Sequence, residues 1–387
     1  MYKIQTLNKI SDIIHNYLSA DKYLIAAEEP VPDGIIVRSA SMHEMELPES
    51  LLAVARAGAG TNNIPIDACT KQGIAVFNTP GANANAVAEL VICGPMLGGR
   101  NVIGGVDWAR ALEGADVAKQ VEKGKGQFAG PEVRGKTLGV IGLGAIGVLV
   151  ANAASQGLGM DVVGYDPFMS VDSAWALSRS VRHTNSLEEI YRTADYITVH
   201  IPLKDNTRGM INAASIAQMK DGVHLLNFSR AELADFADLT AALENGKVAS
   251  YVTDFPTPEV LAMKNTVAIP HLGASTPESE ENCAVMAAQE MRDYLEFGQI
   301  RNSVNLPESI LGHSEGVRVQ IIHENEPGMV SAISAAIGAR KININNMINK
   351  SRKEIAVTVL EIDRLPDQRL KNELMALPGV VRVRIFN

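Results

Sequence analysis

Cysteine is scarce in this sequence. Cys69, Cys93 and Cys283 are the only three in 387 residues, lie far apart, and form neither a CxxC pair nor a cluster with histidine. That spacing argues against a disulfide framework and against a zinc site; no metal is expected, and a reducing cytoplasm suits the chain. Long apolar runs are missing as well, since none approaches the roughly 20 residues that span a bilayer. The N-terminal MYKIQTLNKISDIIHNYL has neither the apolar core nor the small-residue cleavage site of a secretion signal, and reads as a strand followed by an amphipathic helix. Positive charge is not in excess: 35 Lys and Arg stand against 44 Asp and Glu, a net charge of −9. Neither nucleic acid nor a membrane surface is therefore an expected partner. There is no internal repeat and no low-complexity tract.

What is present is a globular composition, 46% hydrophobic and 20% charged, in a chain too long for one ordinary core. Up to about residue 205, short β-rich runs alternate with helical stretches, the pattern of an α/β protein with parallel strands. The runs 34–39, 52–56 and 74–78 each read as a buried strand ending in polar residues. Ligands of open α/β sheets gather at such carboxyl ends, which singles out Arg38, Ser39, Arg56 and Asn78. Residues 122–135, rich in Gly and Lys, read as an exposed loop. A long helical pattern runs from about 280 to 300 and stops at Gly298. RNSVNLPESILGHSEG then carries turn formers and little periodicity, as a linker would. Residues 317–387 read strand, helix, strand, strand, helix, strand.

The most informative stretch is 136–166. An apolar strand, KTLGVI, runs into Gly142-Leu143-Gly144-Ala145-Ile146-Gly147; a helix and a second strand follow, ending at Asp166. A GxGxxG alone is weak, but strand, glycines, helix and an acid about 20 residues on form the full dinucleotide fingerprint. Gly142 permits the tight turn, Gly144 lets the backbone approach a pyrophosphate, and Gly147 allows close helix–strand packing. Asp166 would accept hydrogen bonds from the adenosine ribose, favouring NAD over NADP.

Hydride exchange with a hydroxy acid also needs a proton acceptor, a cation for the carboxylate, and a carboxylate to orient the base. Arg230 ends the strand LLNFSR, His271 ends AIPH, and Asp254 and Glu259 lie between them. Together with RAGAGTNNIP (56–65), NTPGAN (78–83), HIPL (200–203) with Thr207, NFSR (227–230) and PHLGAST (270–276), these motifs resemble the D-isomer-specific 2-hydroxyacid dehydrogenase family, in order and over nearly the whole chain. The resemblance implies that Arg230, Glu259 and His271 form the catalytic trio. It puts Thr79, Ala145, Ile146, Ile201, Pro202, Thr207, Phe228, Ser229, Asp254, Gly273 and Ala274 along the cofactor, beside the fingerprint residues. Gly58, Ala59 and Gly60 would offer main-chain N–H groups to the substrate carboxylate, and Arg56, Arg38 and Ser39 would hold a phosphate. One departure stands out. The family commonly reads Asp-Val-Phe-x-x-Glu-Pro where this chain has Asp254-Phe255-Pro256-Thr257-Pro258-Glu259-Val260, which keeps the interval from Asp to Glu and loses the Val-Phe pair and the final Pro.

The C-terminal stretch, with His323-Glu324-Asn325-Glu326-Pro327-Gly328 between strand and helix, resembles an ACT domain, whose strand–turn–helix junction holds a small amino acid. By that resemblance His323, Asn325 and Asn343 are effector contacts and L-serine is the effector. Ligand held between two such domains would make the chain a homodimer or homotetramer. The expected architecture is therefore α/β: a flavodoxin-like substrate-binding domain at 1–95 completed by 285–305, a Rossmann-type NAD-binding domain at 96–284 closing against it, a linker at 306–316, and an α+β ACT domain at 317–387. The implied reaction is NAD-dependent oxidation of D-3-phosphoglycerate to 3-phosphohydroxypyruvate, the entry to serine biosynthesis. The alternatives are reduction of hydroxypyruvate or glyoxylate, or sensing of NAD(H) or an amino acid without turnover.

Overall fold

Five short apolar runs near the N-terminus pair as a parallel sheet: β1 (Tyr2–Leu7), β2 (Tyr23–Ala26), β3 (Gly34–Val37), β4 (Ala53–Arg56) and β5 (Ala75–Asn78), in the order β2-β1-β3-β4-β5. This is the flavodoxin-like order. The computed structural model describes residues 1–312 and 316–386; residues 313–315 of the expected linker, and Asn387, lie outside them. β3 and β4 are buried along almost their whole length, as strands covered on both faces must be.

The chain separates into two compact units, Met1–Asn83 with Glu280–Asn387, and Ala84–Ser279. The first crossing comes earlier than the expected boundary at residue 95. The reason is the helix Ala84–Gly99, which packs on the sheet of the second unit. A β-carbon at Gly94 would sit 3.0 Å from Leu226, and one at Gly98 would press on Ser250 and Val252. Those glycines bring helix and sheet together.

The second unit is a seven-stranded parallel sheet of β6 (Thr137–Ile141), β7 (Asp161–Tyr165), β8 (Arg182–Thr184), β9 (Tyr196–Val199), β10 (Val223–Asn227), β11 (Val248–Thr253) and β12 (Thr266–Ala268). Its order, β12-β11-β10-β9-β6-β7-β8, reverses direction between β6 and β9. Ligands of doubly wound sheets bind at that switch point. The expected loop at 122–135 is partly helical instead. The helix Val117–Gly124 leads into a 3-10 turn, Lys125–Phe128, whose Phe128 packs on Trp108 with ring centroids 5.4 Å apart.

The helix Pro277–Phe297, which enters the first unit at Glu280, buries Cys283, Ala284, Ala287, Ala288, Met291, Tyr294 and Leu295, a stripe at helical spacing, against the N-terminal sheet. Residues 300–311 are not a loose linker. Leu306 and Leu311 are buried, Ile300 and Ser309 pair as a bridge, and the Asn305 side chain accepts from Val76 N–H and donates to Ile74 O. Asn305 thus extends the edge of β5 in the place of a strand.

The C-terminal strands β13 (Val317–Glu324), β14 (Ile344–Arg352), β15 (Ile355–Ile362) and β16 (Val380–Phe386) form an antiparallel sheet, β14-β15-β13-β16, with helices Met329–Gly338 and Gln368–Met375 on one face. The other face is covered as well. Ile322, Ile355, Val357 and Val359 join the cluster around Ile4, Phe77 and Tyr294. Arginines seal this contact by donating to main-chain carbonyls: Arg384 to Tyr294 and Leu295, Arg318 to Phe297, and Arg382 to Leu51 and Gln72.

Candidate active site

β6 delivers the glycine-rich turn to the switch point. Gly142 has φ +96°, its N–H donates to Tyr165 O at 2.8 Å, and a β-carbon there would strike the His200 carbonyl. At Gly147 a β-carbon would overlap the Gly142 carbonyl oxygen, so helix and turn meet only because both residues are glycine. Gly144 is different, because its missing side chain would point into open space with nothing within 4 Å. Gly144 also caps the helix Ala145–Gln156 without any side-chain acceptor for the first N–H groups. Open space in front of uncapped N–H groups suits a pyrophosphate.

Asp166, at the end of β7, accepts from Leu143 N–H through one carboxylate oxygen (2.9 Å) and from Phe168 N–H through the other (2.8 Å). The acid is thereby held at the mouth of the turn, where a ribose diol fits. Ile201 and Pro202 follow β9, and Thr207 closes their loop by accepting from Lys204 N–H and donating to Pro202 O. His200 is half-buried, its Nε2 paired with Thr198 and its Nδ1 buried without a partner, and desolvation lowers its pKa to about 4. It is therefore neutral and lies beneath the turn.

The NFSR turn after β10 is shaped from below. Asn227 is buried; its side chain donates to Arg230 O (2.9 Å) and to Tyr251 Oη (3.2 Å), and accepts from Ser229 N–H. Ser229 Oγ donates to Val199 O, tying the turn to the next strand, while Phe228 is buried and Arg230 is exposed. Sequence reasoning passed over Asn227 and Tyr251. Asparagine in a turn string reads as punctuation, and its burial shows only in three dimensions.

After β11 comes Asp254, 2% exposed, with one carboxylate oxygen unpartnered. Burial raises its pKa, against the pull of His271 and of the Gly273 N–H. An orphaned carboxylate oxygen of this kind is what a carboxamide N–H would satisfy, so the residues present fit NAD at both ends of the molecule. His271 is exposed and its ring stands edge-on to Phe255, with centroids 5.0 Å apart. Glu259 is not brought to it. The Glu259 carboxylate is taken by its own N–H and by the Thr257 hydroxyl, which lower its pKa, and no hydrogen bond joins it to His271. It sits in the first turn of the short helix Pro258–Ala262, where an acid is favoured by the free N–H groups. Ala274 follows Gly273 on the segment leading to the long helix.

In the first unit, Arg38 and Ser39 follow β3 and Arg56 ends β4, with Val37 and Arg56 in register. Arg56 Nε donates to Arg38 O, and the Arg56 guanidinium lies where a side chain on Gly58 would be. The loop Gly58-Ala59-Gly60 is clamped by Asn78, which donates to Ala59 O, and by Thr79, whose N–H donates to Gly58 O. The Thr79 hydroxyl is buried without a partner. Asn8 and Asn63, also unsuspected from sequence, pin the 38–40 segment: Asn8 accepts from Ser39 N–H, and Asn63 donates to Ala40 O.

In the ACT sheet the three expected effector residues do not converge. Asn325, after β13, donates to Lys353 O, whereas Asn343, before β14, receives its main-chain anchor from Asp363 at the opposite end of the strands. His323 is 2% exposed, with Nδ1 on Glu324 O and Nε2 on Thr358 Oγ1, because the alternation of β13 puts it on the sheet's helix-covered face with Val319 and Ile321.

The fold and this site define an NAD-dependent oxidoreductase carrying an ACT domain. Residues 106–273 match the family model "D-isomer specific 2-hydroxyacid dehydrogenase, NAD binding domain", and residues 317–379 match the ACT domain. The chain is 32% identical to D-3-phosphoglycerate dehydrogenase of Haemophilus influenzae over 88% of its own length and 83% of that protein's. Among solved structures it resembles NAD+-bound 3-phosphoglycerate dehydrogenase of Entamoeba histolytica (28% identity, TM-score 0.59, covering 79% of this chain and 98% of that one). It also resembles D-mandelate dehydrogenase of Rhodotorula graminis (25%, TM-score 0.64, covering 76% and 94%). The chain belongs to the D-isomer-specific 2-hydroxyacid dehydrogenase family.

Proposed function

We propose that this enzyme oxidises D-3-phosphoglycerate to 3-phosphohydroxypyruvate, the first step of L-serine biosynthesis, in the cytoplasm, and that L-serine regulates it through the ACT domain. The observation that carries the substrate choice is the placing of two arginines, Arg38 and Arg56, on neighbouring strand ends beside the Gly58–Gly60 loop. A dianionic phosphate and a carboxylate on one small molecule call for that density of cationic and N–H donors. The names of the relatives support the same reading.

Bound NAD would supply the hydride acceptor. The chain's own groups do the rest. His271 takes the hydroxyl proton, and Arg230 binds the carboxylate and steers the reacting carbon. Glu259 orients His271 once it leaves its present partners, an exchange that exposed groups make readily. Asp254 holds the carboxamide. Arg38, Ser39 and Arg56 hold the phosphate. His323, Asn325 and Asn343 serve the effector site, assembled from two copies in a homodimer or homotetramer.

The test is NADH formation from D-3-phosphoglycerate at alkaline pH, with and without L-serine, beside D-glycerate. Turnover of the phosphorylated acid alone, inhibited by serine, is the expected result. Turnover untouched by serine would remove the effector assignment, and equal turnover of D-glycerate would remove the phosphate specificity.

A further inference from the structure

Arg38, the residue read above as a phosphate anchor, is already holding a carboxylate. Its guanidinium pairs with Glu280 at 2.7 Å, and both side chains are partly exposed, at 38% and 45%. The main chain beneath Arg38 is fixed. Its carbonyl accepts from Arg56 and Asn63, and the next two N–H groups are held by Asn8. Only the side chain is left to swing. Glu280 stands in the first turns of the helix Pro277–Phe297, where the free N–H groups favour a negative charge, and it is the first residue of its unit after the chain crosses from the other.

We propose that Glu280 tempers the affinity for the phosphorylated acid, as a built-in competitor that occupies the Arg38 fork until the substrate's distal phosphate replaces it. An exposed ion pair is weak, so a dianion with three strong acceptor oxygens displaces a single carboxylate readily. A substrate with no distal anion gains nothing from Arg38 and leaves the pair closed. Glu280 thus raises the threshold for occupying Arg38, weakening the hold on the phosphorylated acid and leaving an acid with no distal anion untouched. It acts through Arg38, so its effect falls on substrate binding.

This inference rests on the reading of Arg38 as the phosphate anchor, and three variants separate the two. Steady-state kinetics with D-3-phosphoglycerate and with D-glycerate would be measured for Glu280→Gln, Arg38→Gln and Glu278→Gln; the last removes an equal charge from a neighbouring exposed position outside the pair. Glu280→Gln is expected to lower KM for D-3-phosphoglycerate about two- to fivefold at low salt, an advantage that fades as salt rises, with KM for D-glycerate unmoved. Glu278→Gln should reproduce none of this. If Glu280→Gln leaves KM for the phosphorylated acid unchanged or raises it, while Arg38→Gln raises it, the competitor role is wrong and the phosphate anchor stands. If Arg38→Gln leaves that KM unchanged, the anchor reading fails and the competitor role falls with it.

Discussion

Gly144 and Gly147 lie three positions apart in one motif, yet the space around them differs completely. At Gly147 a side chain would meet the Gly142 carbonyl; at Gly144 it would meet nothing. The Gly144 backbone, at φ −78°, is also one that any residue adopts. Gly144→Val should therefore leave the melting temperature near that of the parent while abolishing NADH binding measured by fluorescence titration. Gly147→Val should destabilise the chain by about 1–3 kcal/mol or more through overpacking, seen as a lower melting temperature before any ligand is added. Equal stability loss in both would mean that Gly144 is structural and that no pyrophosphate approaches it. At the same scale Glu259 can be tested against Asp254. Glu259→Gln should lower kcat for D-3-phosphoglycerate about tenfold or more, with NADH binding kept, if Glu259 orients His271 in the complex. A kcat that is unchanged in Glu259→Gln, and falls in Asp254→Asn, would transfer the role to Asp254.

Elements show where the sequence was readable and where it was not. The parallel strands, the fingerprint turn and the long helix could be read, because each is a local pattern with one physical cause: a buried run, a glycine demanded by backbone contact, a stripe at helical spacing. The seating of the C-terminal sheet was not. Val-Arg-Val-Arg in β16 reads as one buried and one solvated face, yet Arg382 and Arg384 lie against the first unit's own main-chain carbonyls, and the Arg384 guanidinium rests 4.5 Å from the Tyr294 ring centre. Alternation reports two faces, not what covers the second. The long helix carries a related surprise in Glu290, 6% exposed, bonded by Asn302 and left with one oxygen unpartnered. Burial raises its pKa from the ordinary 4.5 to about 8. The sign follows: between those values the folded chain holds a proton that the unfolded chain has released, so stability falls as pH rises through this window and levels off above it. Glu290→Gln keeps a polar partner for Asn302 without the charge. It should raise the melting temperature at pH 8.5, change it little at pH 4.5, and flatten the profile between. A constant difference across that range would show that Glu290 titrates normally.

At the scale of the whole molecule, the position of the proposed effector residues sets a requirement on assembly. Asn325 and Asn343 sit at opposite ends of the same antiparallel strands, anchored by Lys353 and Asp363 respectively, so one ACT sheet cannot close both around one amino acid. Two copies can, if the β13 end of one sheet meets the β14 start of the other; a two-fold pair would then hold two equivalent sites. His323, with both ring nitrogens engaged inside the sheet, would support such a site from beneath, and its removal would disturb the core. Asn325→Ala and Asn343→Ala are the cleaner probes, since both side chains are exposed. Each variant alone should lose serine binding by calorimetry while NADH binding persists. Dissociated and reassembled together in equal amounts, they should recover about a quarter of the sites, because each mixed pair combines one intact Asn325 with one intact Asn343. Serine binding kept in Asn343→Ala alone would remove Asn343 from the site, and loss in both variants with no recovery from a verified mixed assembly would overturn a site shared between two copies.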